Sequence, residues 1–156
     1  CKQYGPVGSV LAFCPPAGMP AIKKNPGDLH GGFAKVSADG KETYVLVIVE
    51  TTVAVSLGEF GYEMIKQAYA DTDIESILFS VGEIESANGV RGLRLAFVAD
   101  AQQQGSATKE KMDRIFYLYE GPKGVKVFFN AQFPSSDTTV EAAIDNAMKT
   151  VKIKKL

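Results

Sequence analysis

The chain has 156 residues, 46% apolar and 22% charged, a balance that fits one globular domain and excludes a disordered chain. A domain of this length buries roughly 70% of the surface its unfolded chain exposes, so it requires no metal or disulfide staple. Its 17 basic and 18 acidic residues give a formal net charge of −1, without the basic excess by which a nucleic-acid binder displaces counterions from phosphates.

Residues 1–8, CKQYGPVG, carry glycine and proline but no periodicity, and read as a tether or irregular lead-in to a single domain over 9–156. The short apolar run SVLAFC follows and ends at PPAGMP, through which no strand continues. After the loop KKNPGDLHGG, the runs FAKVS and ETYVLVIVETTV flank ADGK, an Asp-Gly hairpin signal. In the second run Tyr44, Leu46 and Ile48 alternate with Val45, Val47 and Val49, the pattern of a strand buried on both faces.

The period then changes. Leu57, Phe60, Met64, Ile65 and Ala68 fall at helical spacing, and Ser56 with Glu59 matches a capping box. Gly58 and Gly61 weaken that helix by about 1 kcal/mol each. Four strands follow: SILFSVGEIE, VRGLRLAFVADA, KMDRIFYLYE and VKVFFNAQF. They are joined by the Asn-Gly turn SANG, the polar loop QQQGSAT and the turn GPKG, and most carry apolar groups on both faces. The last element is the clearest: Val140, Ala143, Ile144, Ala147, Met148 and Val151 form an unbroken helical stripe. Thr138 and Glu141 have capping-box spacing, Lys149 suits the last turn, and the lysines of TVKIKKL read as a solvated tail.

An antiparallel sheet apolar on both faces needs a cover on each. The expected fold is therefore α+β: a three-layer α/β/α sandwich of about six mostly antiparallel strands and two covering helices.

The stretch FYLYEGPKGVKVFFNAQFPSSDTTVEAAIDNAMKTVKI, with NGVRGLRLAF before it, resembles the PsbP-like superfamily. That group includes the photosystem extrinsic protein, the Ran-binding Mog proteins and many small bacterial lipoproteins. The resemblance spans residues 8–153 in pattern and order, and the chain departs from the group in lacking tryptophan. It implies a non-enzymatic scaffold that docks on a larger assembly.

The residues offer little chemistry. One histidine and two cysteines do not make a zinc or haem site, and no alternating Asp loop is present, so neither metal nor cofactor is expected. His30 reads as a loop residue and Cys14 as a packed or bridged one; paired as base and nucleophile, they are the residues of a small hydrolase, the least favoured reading. GPVGSV and GPKGVK lack the features of a phosphate loop. The aromatic residues Phe116, Tyr117, Tyr119, Phe128 and Phe129 read as core rather than a stacking platform. Tyr62 and Tyr69, off the helical stripe, and the strand arginines Arg91 and Arg94 are candidates for a partner surface or an anion contact.

Cys1 has two chemical uses. Lipoprotein processing leaves a cysteine at position one, acylated on its sulfur and amine, and two or more chains anchor stably in a membrane. A bridge to Cys14 instead stabilises by about 3 kcal/mol and requires an oxidising compartment. Either use places the protein in the cell envelope or periplasm; the third account is a start set by where the chain was cut. No apolar run approaches the ~18 residues of a membrane span. The favoured expectation is an exported, lipid-anchored accessory module with a protein partner. The alternative is a soluble small-ligand carrier with a cleft between sheet and helix.

Overall fold

The computed structural model describes residues 1–40, 43–102 and 109–155; the last residue of the expected ADGK turn and most of the QQQGSAT loop lie outside them. Among the described residues nine strands and two α-helices run in the order β1 (Leu11–Ala12), β2 (Ala21–Ile22), β3 (Gly32–Val36), β4 (Thr43–Thr52), α1 (Leu57–Ala70), β5 (Glu75–Glu85), β6 (Arg91–Gln102), β7 (Lys109–Glu120), β8 (Val125–Pro134), α2 (Thr138–Met148) and β9 (Lys152–Ile153), with one 3-10 turn at Pro122–Gly124. Seven strands form one antiparallel sheet in the order β2-β3-β4-β8-β7-β6-β5. The meander β5–β8 therefore folds back so that its last strand joins the hairpin strand β4. The three-layer α+β sandwich is as expected, with the two-residue edge strand β2 beyond the six anticipated.

Strand alternation divides the core into two layers. Leu95, Phe97, Phe116 and Leu118 lie beneath α1 with Leu57, Phe60, Met64 and Ile65 of that helix. Ala96, Ile115, Tyr117, Tyr119, Val127 and Phe129 face the other way, toward Val140, Ile144, Ala147 and Met148 of α2. Helix α1 begins as predicted, with the Ser56 hydroxyl accepting from the Glu59 N–H at 3.1 Å. Gly61 costs helix propensity but lets α1 approach closely, because a Cβ there would stand 3.2 Å from Leu93 Cδ1.

Four expectations need correction. Helix α2 is capped by Asp137, whose carboxylate accepts from the Val140 N–H at 3.1 Å; Thr138 is already inside the helix. An ionised acceptor one residue earlier suits the positive end of the helix better than the threonine hydroxyl. The helix also ends at Met148, so Val151, the last residue of the stripe, is buried from an extended segment. The chain then enters strand β9, so the segment is no free tail although its lysines are solvated as expected. It pairs antiparallel with β1, Leu11 opposite Ile153, burying Ile153 while Lys152 and Lys154 stay exposed.

The fourth correction concerns β4. Tyr44, Leu46 and Ile48 are buried, but Val47 is 38% exposed and Val45 and Val49 only half-buried. Seven strands span roughly 29 Å at ~4.8 Å spacing, and one helix is only about 10 Å wide. Helix α1 packs over β5, β6 and β7 and leaves β3 and β4 open on its side. The opposite side of β3 and β4 is covered by the N-terminal segment through Leu11, Phe13 and Met19.

Candidate functional site

Residues 1–8 are irregular but fixed. Tyr4 forms an isolated antiparallel bridge with Phe13, with backbone hydrogen bonds of 2.8 and 2.9 Å, and its ring packs edge-on against Phe13 and Phe33. Cys1 is joined to Cys14 by a disulfide, with Cα atoms 6.0 Å apart. The Cys14 N–H donates to the Thr150 hydroxyl at 2.8 Å. Because its sulfur is in the bridge, Cys14 has no thiolate to offer as a nucleophile.

His30 is 8% exposed and sits in a buried clasp that sequence reasoning missed. Its Nε2 lies 2.6 Å from Glu50 Oε2, and the Tyr4 hydroxyl lies 3.0 Å from its Nδ1. The Ser9 hydroxyl donates to Glu50 Oε2 at 2.7 Å and accepts from the Leu11 N–H at 2.9 Å. The Val10 N–H reaches Glu50 Oε1 at 3.0 Å. Burial pushes the Glu50 carboxyl up, but hydrogen bonds from His30, Ser9 and Val10 more than offset it, and the net shift is downward. Burial raises the Tyr4 phenol, with the Glu50 charge adding to it and a hydrogen bond from Gly31 opposing it.

Serine, histidine and glutamate meet here, yet not as a nucleophilic triad. A triad places the serine on one ring nitrogen and the acid on the other. In this clasp Ser9 and Glu50 share Nε2, and Tyr4 takes Nδ1. The arrangement instead ties the N-terminal segment, the loop before β3, and β4 together. A groove of about 410 Å³ lies beside it, lined by Lys23, Lys24, Asp28, Val47 and Val49 among others.

The four residues expected on a partner surface do not share one. Tyr62 and Tyr69 are 62% and 55% exposed on α1, two turns apart, and the Tyr69 hydroxyl accepts from the Leu78 N–H at 3.0 Å. Arg91 is exposed and lies 3.4 Å from Glu83. Arg94 points to the opposite face of the sheet, as its register partners Gly82 and Tyr117 do. There it lies at 3.5 Å from both Glu141 and Asp145, with its guanidinium 5.6 Å from the centre of the Tyr117 ring.

That region is a cleft of about 490 Å³ between α2 and the strands β5, β6 and β7. Tyr117 donates to Asp145 Oδ1 at 2.5 Å. Burial pushes the Tyr117 phenol far up, and the Asp145 carboxylate pushes it further. Burial raises Tyr119 as well, again with the Asp145 charge adding to it. Gly92 makes room for Tyr119, since a Cβ there would stand 3.0 Å from its Cδ1 and 2.6 Å from the Leu118 carbonyl oxygen.

The open sheet face beside α1 carries a different chemistry. Val36 and Val47 are exposed there, with Val45 and Val49 half-buried. Nearby, the buried Nε and Nη1 of Arg114 and Oδ1 of Asn130 have no hydrogen-bond partner among the described residues. Among the described residues no three histidines, cysteines, aspartates or glutamates are placed to hold a metal. No helix of the described residues is long and apolar enough to cross a membrane.

Neither a protein-family model nor a curated protein matches the chain. Solved structures do. Cyanobacterial PsbP (CyanoP) from Synechocystis sp. PCC 6803 is similar at a TM-score of 0.64 and 13% identity, over 98% of this chain and 92% of that one. LpqN, involved in cell envelope biogenesis of Mycobacterium tuberculosis, gives 0.65 and 11%, over 92% and 83%. PA94 from Pseudomonas aeruginosa, a protein of unknown function, gives 0.59 and 12%, over 88% and 99%. The fold is PsbP-like, as the sequence pattern implied.

Proposed function

We propose that this PsbP-like chain is an exported, non-enzymatic module of the cell envelope that docks a partner protein on the open half of its sheet. The observation that carries the reading is the combination on that face. Val36, Val45, Val47 and Val49 form an apolar strip, and Arg114 and Asn130 beside it hold buried polar atoms without a hydrogen-bond partner among the described residues. An orphaned buried donor costs roughly 1–3 kcal/mol, which a partner's carboxylate or carbonyl would recover on binding. Cys14 is bridged and both ring nitrogens of His30 are occupied, which supports a binding role over hydrolysis. One of the similar folds, LpqN, takes part in cell envelope biogenesis, and the Cys1–Cys14 bridge fits an oxidising compartment.

The sulfur of Cys1 cannot be both acylated and bridged, and the proximity of Cys14 favours the bridge over the lipid anchor. Intact mass of the protein purified from its native cells, without reductant, decides between them. The expected mass is two hydrogens below that of the reduced chain; a mass raised by a diacylglyceryl group and an acyl chain would replace the bridge with the anchor. For docking, a photo-crosslinking side chain at Val47 in living cells should give one discrete protein adduct, while one at Lys152 across the molecule gives none. Adducts at neither position, or equally at both, would overturn the docking reading.

A further inference from the structure

The cleft under α2 joins two phenols of opposite standing. Tyr117, 2% exposed, donates a hydrogen bond to Asp145; Tyr119, 1% exposed, lines the same cleft and its hydroxyl has no hydrogen-bond partner among the described residues. That hydroxyl opens into the cleft rather than into the sealed core, so a partner for it comes from the cleft. Two further donors stand at the rim. Arg94 touches its carboxylates only at 3.5 Å, the outer limit of hydrogen bonding, and Lys149 makes no ion pair among the described residues. The carboxylate nearest the floor, Asp145, is already engaged by Tyr117 and Arg94. Tyr119, Lys149 and the loosely held Arg94 are therefore donors that no close acceptor among the described residues fills.

The rest of the lining is apolar: Ile84, Met148 and the two tyrosine rings. At about 490 Å³ the cleft lies within the range of small-molecule sites, which pair an apolar body with a few converging polar groups. We propose that this cleft binds a small amphipathic monocarboxylate, its apolar body against Ile84, Met148 and Tyr117 and its carboxylate taken by Tyr119, Arg94 and Lys149. Glu85, exposed on the far rim, opposes such an anion, and its removal should tighten binding.

The site is independent of the docking reading, because Arg94, Tyr117 and Tyr119 face α2 while Val47 faces the α1 side. The two can fail separately. The test is a titration of the intact, disulfide-bonded protein with 4-phenylbutyrate, 4-phenylbutanol and 4-phenylbutylamine, followed by calorimetry and by the backbone amide signals of residues 84–85, 117–119 and 145–149. The carboxylate should bind about tenfold tighter than the alcohol, and the amine weakest. Lys149→Glu, at an exposed position, should weaken the carboxylate about tenfold, and Glu85→Gln should tighten it about twofold. Tyr119→Phe should weaken it by roughly fivefold without lowering the melting temperature, since it removes a hydroxyl the fold does not use. Val47→Asp should change none of these affinities. No perturbation of those amides by any probe at millimolar concentration, equal affinity for amine and carboxylate, or an affinity that Lys149→Glu and Tyr119→Phe leave unchanged would each overturn the proposal.

Discussion

Phe128 and Phe129 are neighbours on one strand, and their surroundings differ throughout. Phe129 is fully buried, with ring centroids 5.1 Å from Phe13 and 6.2 Å from Tyr119. Phe128 is half-buried on the other face, with its ring 5.8 Å from Phe60. The face under α2 is closed by the helix, the N-terminal segment and β9 together. The face under α1 has one helix over part of it. By strand alternation, Ser76, Arg114, Glu120 and Asn130, the described residues with buried polar atoms lacking partners, all belong to the α1 side. One face supplies stability. The other is left incomplete, and incompleteness on a sheet face is what a binding partner exploits.

The comparison can be broken by mutation. Phe129→Ala should cost about 3–5 kcal/mol and Phe128→Ala about half of that, because only the first leaves a sealed cavity. Urea unfolding measures both, and equal losses would mean the two faces are packed alike. Cys14→Ser should cost about 3 kcal/mol by freeing the N-terminal loop that closes the α2 face. A thermal melt unchanged by that substitution would separate the bridge from the face it borders.

The clasp sharpens the same point through pH. Glu50 is held below its ordinary value of 4.5 in the folded chain. Its contribution is therefore complete above that ordinary value and is lost as the pH falls through the lower, folded one. Glu50→Gln should cost about 2 kcal/mol at neutral pH. Its stability should also fall less steeply than that of the natural protein between neutrality and strong acid. Parallel acid profiles would remove Glu50 from the account.

The smallest effects are at the helix starts. Ser56→Ala and Asp137→Ala should each cost about 1 kcal/mol, while Thr138→Ala should cost only a few tenths. A larger loss at Thr138 than at Asp137 would contradict the cap observed for α2.

Much of the architecture was legible because alternation and helical spacing are local. Leu93, Leu95 and Phe97 against Ala96, or Phe116 and Leu118 against Ile115 and Tyr117, sort themselves onto two faces by position alone. What failed depended on distance. The valines of β4 look as apolar as its buried residues, and only the width of the sheet against that of α1 shows that they are uncovered. Strand β9 is two residues long and exists through its pairing with β1 and the hydrogen bonds between Asn88 and Ile153. The clasp joins Tyr4, Ser9, His30 and Glu50, and no spacing rule links four residues so far apart. The tyrosine cleft was hidden for the opposite reason: Tyr117 and Tyr119 fit the core pattern so well that nothing marked one hydroxyl as unused.

The bridge between Cys1 and Cys14 also fixes how the molecule bears load. A pull on residue 1 passes straight through the covalent bond to Cys14, so residues 2–13, the clasp and the β1–β9 pair lie off the path of force. Reduction would move them onto it. The 13-residue separation would then add roughly 40 Å of slack at ~3.5 Å per residue, released only after the clasp tears. In the oxidised protein the same segment is a short, inextensible strap between residue 1 and the fold.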